Sequence, residues 1–470
     1  MIKFFFKNKS SSRLKDFYFL FSTLFFKTII NFLLLFYVAK ITSVLEFGIF
    51  TLSFVVMTIS ILLIDYGYNL HSLVLDYKNK LEVSKNISSF ISGKFLISIF
   101  LLIVLTSIMF FIPIDQTLKK VILILSISAV PNSFGNFYFS LFKGNNNYYK
   151  ESIGFLLQGL LLIFLLTINH FYYSQDIITI SIIILITKII FFCYSWYQFK
   201  RMFNIKFRFS VEGGLLSFVK SYNYGIHLIF GTLIIYIETL FLSNFSDMKT
   251  VGYYQAGLRL IMAASLFGAI ITDGFVPQMS KNKDDRKLVT IKMVNLFKIL
   301  LVFYFLLCIT LSFYFNTIIN VLFTKNFLII ENYIFYIILI IICRAIGIVP
   351  GVILTSLGLQ KIRARSAMFS FLLSIVLNLF LVPFYGIEGA FISFLLTNIL
   401  LTCIYFYFSF KEINFIKEVP LKITFSLLLY WLAQVLILKD NFLHLCISCL
   451  ICLLILLFTY KNINKNNVTN

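Results

Sequence analysis

The sequence predicts an all-α polytopic membrane protein of about fourteen transmembrane helices, and three observations carry that expectation. Of 470 residues, 60% are hydrophobic and only 13% are charged, against about 25% charged in a soluble domain. Mean hydropathy is +0.95. Apolar segments of about 20 residues, the length that crosses a bilayer core, recur along nearly the whole chain. Finally, lysine and arginine alternate between rich and poor connections, as they do when retained on the cytoplasmic side.

In chain order the spans fall near 17–38, 47–70, 87–112, 119–142, 152–169 and 177–198, then 215–241, 251–277, 289–314, 330–357, 364–384 and 388–410. Two more follow at 421–438 and 441–460. The first comes after Lys3, Lys7, Lys9, Arg13 and Lys15, as a signal peptide would. Its apolar run is too long for one and no A-x-A-like site ends it, so it is expected to stay as an anchor. With the N-terminus inside, 28 basic residues fall on inner segments, 6 on outer loops and 6 within spans, which accounts for all 40. Both termini are therefore expected to be cytoplasmic. The net charge of +21 reads as a topology signal, and nucleic-acid binding is not needed to explain it.

Two segment pairs recur. Lys40-Ile-Thr-Ser-Val-Leu-Glu-Phe-Gly48 opens the second span much as Ser243-Asn-Phe-Ser-Asp-Met-Lys-Thr-Val-Gly252 opens the eighth, at an offset of 204. Ser140-Leu-Phe-Lys-Gly-Asn-Asn-Asn links spans four and five much as Ser356-Leu-Gly-Leu-Gln-Lys-Ile-Arg links spans ten and eleven, at 216. Equivalent places in two six-helix sets of like orientation imply a parallel repeat, an organisation common in transporters with the substrate path between the halves. The expected domains are a six-helix lobe over 1–211, a second over 212–410, and two additional helices over 411–470.

The outer connections are short with few charges and the inner ones are basic tethers, leaving no platform for surface chemistry. No H-E-x-x-H, G-x-S-x-G or P-loop pattern is found in them, and His71, His170, His227 and His444 are scattered, so neither an enzyme nor a metal site is expected. Cys193, Cys308, Cys343 and Cys403 read as small buried hydrophobes. Cys446, Cys449 and Cys452 have cluster-like spacing but lack a fourth ligand, and helical coincidence accounts for them.

What needs explanation is six cations inside spans: Lys27, Lys94, Lys188, Arg259, Lys298 and Arg344. Each costs roughly 2.5–3.5 kcal/mol at the bilayer centre on insertion scales, so they are expected to turn toward water or a counter-ion and to line an anion's path. Lys94, near the inner end of its span, is expected to snorkel to the headgroups. Among the acids, Glu238 has two readings: an ion pair with Arg259, or a site that couples transport to H+ or Na+. Asp65 and Asp273 lie near inner span ends and suit a gate or headgroup-level salt bridge.

Residues across the chain resemble the Wzx-type polysaccharide flippases of the MOP superfamily, which also holds multidrug exporters and the lipid II flippase. The resemblance rests on Tyr236-Ile-Glu-Thr-Leu-Phe-Leu-Ser243, Val251-Gly-Tyr-Tyr-Gln-Ala-Gly-Leu-Arg259 and Phe275-Val-Pro-Gln-Met-Ser280. Leu45-Glu-Phe-Gly48, Asp65-Tyr-Gly67, Asn378-Leu-Phe-Leu-Val-Pro383 and Gly386-Ile-Glu-Gly-Ala390 extend it. It implies alternating-access transfer of an undecaprenyl-pyrophosphate-linked oligosaccharide, such as an O-antigen unit for lipopolysaccharide, across the bacterial inner membrane. It also implies a monomer without cofactor, working among membrane lipids beside a polysaccharide polymerase and a chain-length regulator. A diphosphate headgroup is anionic, so Lys27, Lys188, Arg259, Lys298 and Arg344 are the candidate substrate-binding residues. A polytopic polymerase and a drug or cation exporter are the alternatives. The first would need a substantial outer loop, and the second would favour acids over bases within spans.

Overall fold

The computed structural model describes residues 11–413 apart from 74, 76, 78–79, 146, 173–175, 204–206 and 282–284. Side chains are described from residue 26, apart from 80–81, 223, 227, 269–271, 273–278 and 280–281. The spans expected at 421–438 and 441–460, with Trp431 and the last three cysteines, lie outside the described residues.

The first seven helices are α1 (Ser11–Ile41), α2 (Val44–Asp65), the short α3 (Tyr68–Ser72), α4 (Lys80–Phe111), α5 (Gln116–Gly144), α6 (Tyr148–Tyr172) and α7 (Ile177–Phe203). Then come α8 (Val211–Phe245), α9 (Met248–Lys281), α10 (Arg286–Leu322), a 3-10 segment (Lys325–Tyr333), α11 (Ile334–Ser356) and α12 (Gln360–Glu412). Nine helical stretches among the described residues are long and apolar enough to cross a membrane. The fold is an all-helical polytopic one, as the sequence predicts.

The chain divides into two compact units, Met1–Tyr236 and Ile237–Asn470. In the first, α5 packs against α2 and α7, and α6 against α1 and α7. Aromatic side chains fill the space: Phe90, Phe137, Phe139, Phe142, Phe155 and Phe191 are all buried in one cluster. The division falls inside α8 rather than before it, for a local reason. Tyr68 Oη and Ser217 Oγ are 2.7 Å apart, His71 Nδ1 and Ser221 Oγ are 2.9 Å apart, and the Ser210 amide donates to Ser92 Oγ at 3.2 Å. The start of α8 is thereby stitched to the first unit.

Gly67 makes that seat. Tyr66 and Gly67 take φ of 44° and 81°, so α2 stops at Asp65 and the chain turns back into α3. A Cβ on Gly67 would meet the backbone of Tyr224 and Gly225.

In the second unit α11 packs against α9, α10 and α12. The 53 residues of α12 would measure about 80 Å if straight, far beyond the ~30 Å bilayer core. They double back at Gly386, whose φ is 52° and ψ is −125°. Asn378 Nδ2 donates to Ser393 Oγ at 2.8 Å, although fifteen helical residues would separate them by about 22 Å. The two spans read from the sequence at 364–384 and 388–410 are the arms of this hairpin. A second kink, at Tyr314 in α10, lets the helix run on to Leu322 and into the 3-10 segment, where the sequence places the longest outer connection.

The repeats identify equivalent caps. Ser43 caps α2 through a capping box with Glu46, and Asp247 caps the start of α9 by accepting from the Thr250 amide at 2.8 Å. These two residues sit at the same offset of 204. Hydrogen bonds from Thr250 hold the Asp247 carboxyl below the usual carboxylate range. At the other pair, Ser140 and Ser356 each donate to the carbonyl three residues earlier.

Gly67→Ala is expected to lower stability by about 3 kcal/mol or more, because a left-handed φ and a backbone collision add. Gly386→Ala meets open space apart from Ser246 Oγ at 3.9 Å, so only its positive-φ backbone opposes the change, and it is expected to cost about 2 kcal/mol. Thermal unfolding of the two variants in detergent, compared with wild type, checks the order.

Candidate functional site

Charge in the first unit is unevenly matched. Four lysines and two carboxylates approach one another there, and both carboxylates are committed. Lys94 Nζ lies 3.0 Å from Asp65 Oδ1, with Lys94 fully buried, and the ammonium sits 5.3 Å from the Phe137 ring centre and 5.7 Å from that of Tyr68. This corrects the expectation that Lys94 snorkels: its stem turns inward because Asp65 ends α2 beside it. Asp65 is thus in a buried salt bridge, and also accepts from the Asn69 amide at 3.2 Å. Lys143 Nζ reaches Glu151 Oε1 at 2.9 Å, and Glu151 is buried.

Lys27 and Lys188 are left over. Lys27 on α1 is exposed, stands 5.1 Å from the Phe155 ring centre, and feels Glu151, Lys143 and Asp65 electrostatically. Lys188 on α7 is half-buried and is within electrostatic reach of Lys27, which repels it. Neither forms an ion pair with a described carboxylate. The structure thus brings two of the expected cations together without neutralising them.

In the second unit Arg344 and Glu238, both within spans, take neutral hydrogen-bond partners. Arg344 on α11 donates from Nε to Ser265 Oγ at 3.0 Å and from Nη1 to Asn398 Oδ1 at 3.4 Å. Phe394 lies beneath the guanidinium at 5.9 Å. No described carboxylate pairs with it, and Nη2 carries no hydrogen bond to a described residue. Asn398 Nδ2 donates to the Phe394 carbonyl at 2.7 Å, which fixes the amide with its oxygen toward the arginine.

Arg259 is 3% exposed and donates from Nη2 to Gln255 Oε1 at 2.8 Å, while Gln255 Nε2 donates to Thr239 Oγ1 at 2.6 Å. Glu238 is fully buried and accepts from Ser374 Oγ at 3.0 Å. The Glu238–Arg259 ion pair considered from the sequence is therefore not formed. Successive helical positions point about 100° apart, and it is Thr239 that turns to the Gln255–Arg259 chain. Glu238 Oε2, Tyr254 Oη and Asn378 Oδ1 are buried without a hydrogen-bond partner, and Tyr254 and Asn378 both lie within interacting range of the carboxyl.

Lys298 on α10 is half-buried and forms no ion pair with a described carboxylate. The Asp273 side chain lies outside the described residues. Cys193 and Cys403 are exposed, a correction to their reading as buried hydrophobes, whereas Cys308 is buried. Among the described residues no group of histidine, cysteine and acidic side chains is placed to hold a metal ion. Sequence reading missed Ser265 and Asn398, the acceptors that orient Arg344. Their only signal was polarity at one position of an otherwise apolar run.

A family model for polysaccharide biosynthesis proteins matches residues 13–283, and the chain belongs to that family. Among solved structures it is similar to the lipid II flippase MurJ in an inward closed conformation, at 19% identity, covering 96% of this chain and 99% of that one with a TM-score of 0.71. A multidrug resistance MATE family transporter of the MOP superfamily, inward-facing, aligns at 12% identity over 84% and 96% of the two chains with a TM-score of 0.63. A MOP superfamily transporter from Pyrococcus furiosus, titled for the reverse polarity of its binding pocket, aligns at 13% over 86% and 96% with a TM-score of 0.59. No curated protein matches. The fold is that of MOP superfamily transporters.

Lys94→Ala, tolerable for a snorkelling lysine, is now expected to destabilise by about 3–5 kcal/mol, because it strands the Asp65 carboxylate. Asp65→Leu combined with Lys94→Met should recover most of that loss. Yield and melting temperature of the purified single and double variants check this.

Proposed function

We propose that this protein is a flippase that moves an undecaprenyl-pyrophosphate-linked oligosaccharide, an O-antigen or other surface polysaccharide repeat unit, from the cytoplasmic to the periplasmic leaflet by alternating access. Family membership and the transporter fold support the class. The observation that carries the substrate is Arg344, a membrane-embedded guanidinium oriented by two neutral acceptors and matched by no described carboxylate. Arginine presents a planar fork that suits phosphate oxygens two at a time. Lys27 and Lys188 supply unneutralised charge in the first unit, and Arg259 and Lys298 are further contacts for the headgroup or glycan. The setting proposed is the bacterial inner membrane, with both termini cytoplasmic and a monomer as the working unit. A polysaccharide polymerase and a chain-length regulator would act on the product.

Coupling to an H+ or Na+ gradient falls to Glu238 in this reading. Its carboxyl is buried, accepts from the Ser374 hydroxyl, has no basic partner among the described residues, and has the Asn378 and Tyr254 side chains within interacting range. Asp65 is better suited to holding α2 and α4 together, and Asp273 remains a gate candidate. A drug exporter would gain from acids in place of Lys27, Lys188 and Arg344. A polymerase would need extramembrane chemistry that the short described connections do not offer.

Deletion and complementation test the proposal, scored as surface polysaccharide together with lipid-linked oligosaccharide on each leaflet. Complete unpolymerised units should accumulate on the inner leaflet without the protein, and wild type should clear them. Single units reaching the outer leaflet unjoined would make it a polymerase instead. In the same assay Arg344→Ala and Lys188→Ala should lose about tenfold or more of transport while inserting normally, with Arg344→Lys intermediate. Glu238→Gln should retain folding yet lose dependence on the imposed ion gradient. Unchanged gradient dependence would remove Glu238 from the coupling role.

A further inference from the structure

One tyrosine hydroxyl is spliced into the backbone of α9 beside the arginine seat. Tyr304 on α10 is 2% exposed. Its Oη accepts from the Gly268 amide at 3.0 Å and shares its proton between the carbonyls of Ala264, at 3.1 Å, and Ser265, at 3.4 Å. Gly268 and Ala264 are the amide and carbonyl that helical i→i−4 register pairs with each other. The hydroxyl thus bridges the two ends of one rung of the ladder, a kind of insertion that locally fixes or bends a helix. Gly268 makes the approach possible, since a Cβ there would collide with Tyr304 Oη and Ile348 Cδ1.

The bridged turn contains Ser265. Its hydroxyl donates to the Ile261 carbonyl at 2.8 Å, so its one proton is spent and the oxygen is left as an acceptor for Arg344 Nε at 3.0 Å. Tyr304 and Arg344 are also within electrostatic reach of each other. A direct structural role, filling space between α9 and α10, would need the ring alone. A hydroxyl with one hydrogen bond accepted and one donated, both to the turn that holds the arginine's acceptor, does more than fill space.

We propose that Tyr304 is a positioning residue for anion binding: its hydroxyl sets the Ala264–Gly268 turn of α9, and through Ser265 the pose of the Arg344 guanidinium. The inference rests on the reading of Arg344 as a diphosphate-binding cation. It predicts that Tyr304 acts only through Arg344.

The test is binding of farnesyl pyrophosphate to the full-length protein in lipid nanodiscs, with farnesol as the probe lacking the diphosphate. Arg344→Ala should weaken farnesyl pyrophosphate binding about tenfold or more, and farnesol binding should not change. Tyr304→Phe, which keeps the ring, should weaken it roughly five- to tenfold, and Ser265→Ala should do the same. The two effects should not add in the double variant, and in the Arg344→Ala background Tyr304→Phe should change affinity less than about twofold. If Arg344→Ala binds weakly but Tyr304→Phe binds as wild type, the positioning role is wrong and the arginine reading survives. An equal loss from Tyr304→Phe with and without Arg344 would make the tyrosine merely structural, which also overturns the inference. Normal binding by Arg344→Ala would sink the arginine reading itself. Should Tyr304→Phe fail to fold, Ser265→Ala carries the same cycle against Arg344→Ala.

Discussion

Matching charge in a low-dielectric interior is the constraint on which the rest of this structure depends. An ion stripped of water in the bilayer must be paired, hydrogen-bonded or returned to water. In the first unit the two available carboxylates are spent where they tie helices together. Asp65 and Lys94 hold α2 to α4, and Glu151 and Lys143 join α6 to the end of α5. With those pairs made, no described carboxylate forms an ion pair with Lys27 or Lys188. The residual positive charge thus follows from composition, since the chain holds 40 basic residues against 19 acidic ones, and from where those acids are used.

The second unit treats charge differently, and the contrast is informative. Arg344 and Glu238 are each held by an amide or hydroxyl: Ser265 and Asn398, and Ser374. A neutral acceptor orients a guanidinium without cancelling its charge. A carboxylate in the same place would do both, and an incoming anion would then have to displace it at a cost of several kcal/mol in the interior. Oriented but unneutralised is the state a transient anion site needs, because the ligand must bind and also leave.

Much of this was legible in the sequence, and the remainder failed for a geometric reason. Segment lengths located the helices, and the recurring motif around Ser43 and Asp247 marked true helix caps. Position along a span gives an expected depth for each cation. What depth leaves open is azimuth. Glu238 and Thr239 are adjacent in sequence, yet they serve different clusters on different sides of α8, so pairing Glu238 with Arg259 by level alone misassigned both. Lys94 failed similarly: its place near a span end suggested snorkelling, and only the close of α2 at Tyr66 and Gly67 shows Asp65 beside it. Contacts such as Tyr304 with Gly268, 36 residues apart, have no local signature at all. The glycine is a visible irregularity, but the hydroxyl that requires it comes from another helix.

A fold shared by flippases and drug exporters cannot by itself choose a substrate, because function resides in the site and not in the architecture. What the fold supplies is a set of spans whose interior polarity is free to vary. Here, among the described residues, that polarity includes Lys27 and Lys188 in the first unit, paired with no described carboxylate, and in the second an arginine on neutral acceptors and the buried Glu238, which does not pair with it. Reversing the sign at Arg344 would touch neither the caps nor the Gly386 hairpin of the second unit, yet would invert what that position attracts. The proposed substrate class therefore rests on Arg344 and its neutral acceptors in the second unit, with Lys27 and Lys188 as the basic residues of the first that pair with no described carboxylate.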